Sequence, residues 1–126
     1  MKRKYLDELG VKNRPDNYGP KDHRKNQWAI ERSILGFDER ETWDMRRSFY
    51  CWLYERLMMY KDINFIDFKH HQFLYDGVTL THGECIERML DGLKIALLKD
   101  EYTQEEEKKI DDIAKIWAVV LLVMWW

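Results

Sequence analysis

Cysteine is scarce in this 126-residue sequence, which holds only Cys51 and Cys85. Cys51 falls in an apolar helical stretch, so a disulfide framework is not expected and a reducing cytosol is the expected setting. No apolar run follows the charges of Met1-Lys2-Arg3-Lys4-Tyr5-Leu6-Asp7, so no signal peptide is read at the start. The longest apolar run, Ala114 to Trp126 broken by Lys115, is about thirteen residues, short of the ~20 needed to cross a bilayer, and reads as a buried helix end. Neither sign of charge dominates: the net charge is -2, which excludes both a chain that binds nucleic acid by bulk charge and a polyanionic mimic of DNA. Catalytic signatures are missing as well. There is no Gly-rich phosphate loop, no Gly-x-Ser-x-Gly, no His-Glu-x-x-His, no Cys-x-x-Cys and no His-x-x-x-His.

What is present is a globular composition, 45% hydrophobic and 35% charged, with six Trp, seven Tyr and five Phe. That aromatic load supplies a core and favours interfaces. Charge is unevenly spread. Residues 1–36 carry nine Lys/Arg against five Asp/Glu, and residues 99–112 carry three against seven. A basic front and an acidic late segment suit surfaces that orient a partner.

Local patterns predict a mainly α (α+β) fold of three to four helices with one small β-hairpin packed against them. Residues 1–20 read as a basic N-terminal arm or short helix plus loop, and 21–126 as a single helical domain. Residues 2–9 form one or two turns ending at Gly10, followed by a Pro/Gly-punctuated loop. A helix is expected over Lys21–Leu35, stopped by Gly36. A second starts at Asp38 with Glu41 as capping partner, and Trp43, Phe49, Trp52, Leu53, Leu57 and Tyr60 repeat along it at helical spacing. Asp76-Gly77, set between two β-prone runs, predicts a hairpin near 71–80. Thr81 with Glu84 and Thr103 with Glu106 each read as a capping box that opens a helix. A small hairpin is marginal alone, so it must lie on the helices.

One constellation suggests a metal. The Asp76-Gly77 turn sets Tyr75 opposite Val78, Phe73 opposite Leu80 and His71 opposite His82. Cys85 follows His82 by one helical turn, so His71, His82 and Cys85 are candidate ligands of a structural zinc, with His23, His70, Asp67 or water as the fourth. The competing reading is a polar histidine pair closing the hairpin, with Cys85 a small core residue. Glu39, Glu41 and Asp44 read as solvated helix-start charge rather than a catalytic cluster. Arg46 and Arg47 could meet a phosphate or carboxylate, or balance Asp44 and Glu55 locally. The charged ends supply candidate partner-binding residues: Lys2, Arg3, Lys4 and Arg14 in front, and Glu105, Glu106, Glu107 and Asp111 behind. With Tyr5, Tyr18 and Trp28 interleaved, the front could also grip nucleic acid, although Asp7, Glu8, Asp16 and Asp22 dilute it. Trp125 and Trp126 close the core or form a homodimer seam.

The runs Glu41-Thr42-Trp43-Asp44-Met45 and Trp52-Leu53-Tyr54-Glu55-Arg56-Leu57, with Lys61, resemble a pattern in small bacteriophage and prophage accessory proteins. Cys85-Ile86-Glu87-Arg88-Met89-Leu90 and the Trp-terminated end fit it too. The resemblance covers roughly residues 38–126; Arg46 and Arg47 stand where the pattern is more neutral. It implies a bacterial cytoplasmic protein without catalysis of its own, one that inhibits a host defence system by stoichiometric binding, as anti-CRISPR proteins block CRISPR effector nucleases. The alternative is a zinc-stabilised phage regulatory or nucleic-acid-binding module.

Overall fold

The computed structural model describes residues 4–63 and 71–124. It is mainly helical, with five α-helices and one two-stranded antiparallel hairpin among the described residues. The order is α1 (Lys4–Leu9), α2 (Lys25–Leu35), α3 (Met45–Ile63), β1 (Gln72–Tyr75), β2 (Val78–Thr81), α4 (His82–Leu98) and α5 (Gln104–Val120). The chain divides into two compact units between Glu55 and Arg56, a boundary that falls inside α3.

In the first unit the front of the chain is built in by its apolar residues. Tyr5 and Leu6 of α1, then Val11 and Pro15, are buried. Gly10, at φ +84°, ends α1, a left-handed turn that suits glycine. Gly36 ends α2 in the same way, its N–H donating to the Arg32 carbonyl. α2 begins at Lys25, four residues later than the sequence suggests. Asp22 is the reason: its carboxylate accepts from the Arg24 backbone N–H and from the Arg24 guanidinium, which organises a turn where helix was expected. Asp38 does cap, but it accepts from the Arg40 N–H and opens a 3-10 segment, Glu39–Thr42, so α3 starts only at Met45.

The centre of this unit is an indole held between arginines. Trp28 is buried, and its Nε1 donates to Glu39 Oε1 at 2.7 Å. The Arg40 guanidinium lies 4.5 Å from the Trp28 ring centre, and Arg24 lies 5.2 Å from the rings of both Trp28 and Trp43. Arg40 forks onto Asp38, with Nε to Oδ1 at 3.0 Å and Nη2 to Oδ2 at 2.8 Å. Its remaining Nη1 donates to the carbonyls of Asp16 and Tyr18, so one buried cation ties the front loop to the rest of the unit.

The second unit is a helical pair carrying the hairpin. Ile86, Met89, Leu90, Leu93 and Leu97 of α4 and Ile110, Ile113, Ile116 and Val120 of α5 are buried. Each contributes roughly 1.5–3 kcal/mol when taken fully out of water. Gly92 permits the close approach, since a Cβ there would overlap the Lys109 carbonyl oxygen. Both capping boxes form as the sequence indicates, with each Thr side chain accepting from the Glu backbone N–H three residues on and each Glu returning the bond. The hairpin takes the expected register, Phe73 opposite Leu80 and Tyr75 opposite Val78. Asp76 and Gly77 both have positive φ, as a two-residue type I′ turn requires. β2 lies on α4 and β1 on α5, and the Tyr75 hydroxyl donates to the buried Asp112 carboxylate.

α3 departs from its expected single stripe. Cys51, Leu53, Tyr54 and Leu57 are buried, whereas Trp52 is on the outer side with Met45, Met59 and Ile63. At the C-terminal end Ile116 and Val120 are buried as expected, but Leu121 and Leu122 are exposed. No helix among the described residues is long and apolar enough to cross a membrane.

Candidate functional site

The histidine corner lies at the mouth of the hairpin. The His82 backbone N–H donates to the His71 carbonyl, which brings the two residues together as the register predicts. Their side chains part company: His71 is exposed, and His82 is buried between the rings of Phe73 and Tyr60, each centred 5.9 Å away. The Tyr60 hydroxyl and His82 Nε2 are 3.2 Å apart. Burial, with a smaller contribution from His71, holds the His82 pKa below the ordinary imidazole value. Cys85 is fully buried, and burial pushes its thiol pKa up. Among the described residues no group of three or more His, Cys, Asp and Glu gathers as a metal site. His23 is exposed beside Asp22, in the first unit; Asp67 and His70 lie outside the described residues.

The candidate partner-binding residues fall into two sets. At the front, Lys2 and Arg3 lie outside the described residues. Lys4 is exposed, with its ammonium 5.5 Å from the Tyr5 ring centre. Arg14 is committed internally, bridging to Asp7 at 2.7 Å and Asp16 at 3.2 Å. The acidic set presents itself outward. Glu105, Glu107 and Asp111 are exposed on α5, and Asp100 and Glu101 are exposed in the connection that precedes it. Glu106 is the exception, occupied by the capping box and by Lys99. The lysines here stay exposed but two of them are engaged by acids: Lys99 pairs with Glu106, and Lys108 reaches Asp112 at 3.4 Å and Asp76 at 3.5 Å. Five exposed carboxylates against three exposed lysines leave the outward charge of this end net negative. It borders a groove of about 550 Å³ lined by Arg88, Asp91, Glu105, Lys108, Lys109 and Asp112.

Apolar surface forms a third feature. Of the eleven residues in α2, only Trp28 is buried; Ile30, Ile34 and Leu35 are exposed, as is Phe37 just beyond. Ile30 and Ile34 are four apart and share a face. Helical spacing alone does not say whether such a stripe meets a neighbour or water. Comparison with family models, curated proteins and solved structures finds no match to the chain.

Proposed function

We propose that this chain is a phage-encoded inhibitor of a host defence system that works by stoichiometric protein binding, with a CRISPR effector nuclease as its target. The phage-type helix pattern of residues 38–126 supports the origin. The observation that carries the mode of action is the acidic end of the second unit, where Asp100, Glu101, Glu105, Glu107 and Asp111 face outward while Lys99 and Lys108 are engaged by acidic partners. A nuclease groove that receives nucleic acid is lined with cations, so these carboxylates compete with phosphate oxygens for the same guanidinium and ammonium groups. In the first unit, exposed Ile30 and Ile34, four apart on α2, offer apolar surface of the kind protein contacts use. On this reading the protein occludes and does not turn over.

The test is a tagged capture from bacterial lysate containing CRISPR effector complexes, followed by nuclease titration. Inhibition should saturate near one chain per effector and weaken as salt rises. The triple variant Glu105→Lys/Glu107→Lys/Asp111→Lys should lose at least about tenfold in inhibition with its helical spectrum unchanged; Glu106 is spared because it caps α5. Full effect at a thousandfold lower dose would replace occlusion by catalysis. No inhibition, together with stoichiometric zinc and salt-dependent nucleic-acid retention, would transfer the reading to a zinc-stabilised nucleic-acid-binding module.

A further inference from the structure

The outer face of α3 is an apolar seam with its own period. Met45, Phe49, Trp52, Arg56, Met59 and Ile63 are spaced 4-3-4-3-4. At about 100° per residue they lie within roughly 80° of arc, over about 27 Å of helix. Exposure is high along it: Met45 69%, Trp52 40%, Met59 51% and Ile63 62%. Phe49 is half-buried and stacks on Trp52 with ring centres 6.2 Å apart. The opposite side of the same helix carries the buried Cys51, Leu53, Tyr54 and Leu57. A helix apolar on both sides is normally covered on both. The spacing is that of a coiled-coil seam, two positions in seven.

We propose that this seam is covered by a second copy of the chain, the two α3 helices running antiparallel about a two-fold axis level with Tyr54. The spacing reads the same in either direction, so reversal lays the seam on itself. Met45 then meets Ile63 of the second copy, Phe49 meets Met59, and Trp52 meets Arg56. This pairing is isologous, as a closed dimer requires. The two-fold axis sets each Arg56 guanidinium level with the Trp52 indole of the second copy, a pairing compatible with cation–π contact. Area sets the strength. With large apolar and aromatic side chains offering about 150–250 Å² each, the exposed fractions amount to roughly 1,000 Å² over both copies, the lower end for a specific interface. The dimer should therefore form with a dissociation constant in the region of micromolar.

Sedimentation equilibrium on the full chain across about 1–200 μM tests this. The expected result is a concentration-dependent rise to twice the 15.5 kDa chain mass. Met59→Glu should weaken association by at least tenfold. Trp52→Glu should do the same, and both sites are exposed enough to leave the helical spectrum intact. Direction is read by cross-linking. Under mild oxidation, Met45→Cys mixed with Ile63→Cys should form the disulfide-linked pair faster than either variant alone. A chain that stays monomeric at 200 μM overturns the proposal, and so does a dimer that Met59→Glu and Trp52→Glu leave unaffected. Faster linking of Met45→Cys to itself overturns the antiparallel arrangement.

Discussion

Replacing Asp38 by asparagine keeps the shape of a buried side chain and removes its charge. Both partners of the Asp38–Arg40 fork are nearly out of water, with side chains 4% and 7% exposed. Burial alone would raise the Asp38 pKa, but the hydrogen bonds from Arg40 and Arg32 outweigh it and bring the group down to about 2. Against about 3.9 in an unfolded chain, that difference corresponds to roughly 2.5 kcal/mol of folded-state stability at neutral pH. Breaking a buried pair from one side costs about 3–5 kcal/mol, because the other charge stays buried. Asp38→Asn should therefore destabilise the protein by about 2.5–5 kcal/mol, which in urea lowers the midpoint by roughly 1–3 M. Fluorescence is the suitable signal, since Trp28 lies against Arg40. The pH dependence has a definite sign. The folded pKa lies below the unfolded one, so the contribution is complete above about pH 4 and disappears as pH falls through about 2. The wild-type protein should lose stability across that window, and Asp38→Asn should lack this loss. A variant within 1 kcal/mol of wild type at pH 7, or parallel profiles from pH 5 to 2, would refute the argument that this pair organises the first unit.

Gly92→Ala normally favours a helix by about 1 kcal/mol, yet here the added Cβ overlaps the Lys109 carbonyl oxygen and sits 2.9 Å from Ile113 Cγ1. Calorimetry should show a net loss of about 1–3 kcal/mol, several degrees in Tm. An unchanged or higher Tm would mean that α4 and α5 separate freely. His82 works in the acid direction. Burial first and His71 second depress its folded pKa, so its contribution is present above the unfolded value near 6.5 and fades as pH falls below it. NMR titration of the imidazole should place His82 below a free histidine, and His82→Gln should flatten the stability profile as pH falls below about 6.5. A His82 resonance that titrates at or above the free value would contradict the buried placement.

The features legible in the sequence are those whose physics is local. Thr81 with Glu84 and Thr103 with Glu106 satisfy helix-start donors within four residues, so their pattern is sufficient to place α4 and α5. Asp76-Gly77 fixes a turn and with it the pairing of four residues on each side. Arg40 is the opposite case. Its partners Asp16 and Tyr18 are more than twenty residues away, and nothing at positions 38–41 separates a buried fork from solvated charge at a helix start. The beginnings of α2 and α3 moved for the same reason: Asp22 and Asp38 spend their carboxylates on arginines as well as on backbone N–H groups. Of the candidate site, the outward carboxylates of α5 were readable as a charge excess. That Lys99 and Lys108 are engaged by acidic partners required the positions of Glu106, Asp76 and Asp112.

Both sulfhydryl groups of the protein are sealed inside it: Cys51 is 2% exposed, Cys85 is 0% exposed, and the Cys85 thiol is shifted away from its reactive anion. Thiol-directed dyes and spin labels attack an accessible thiolate, so the folded native chain offers them almost nothing. A single cysteine introduced at an exposed position such as Ser33 becomes the one fast-reacting site on the molecule without removal of either native residue. The native pair can then serve as an internal clock. Their slow modification measures how often each interior opens, with Cys51 reporting on the first unit and Cys85 on the second.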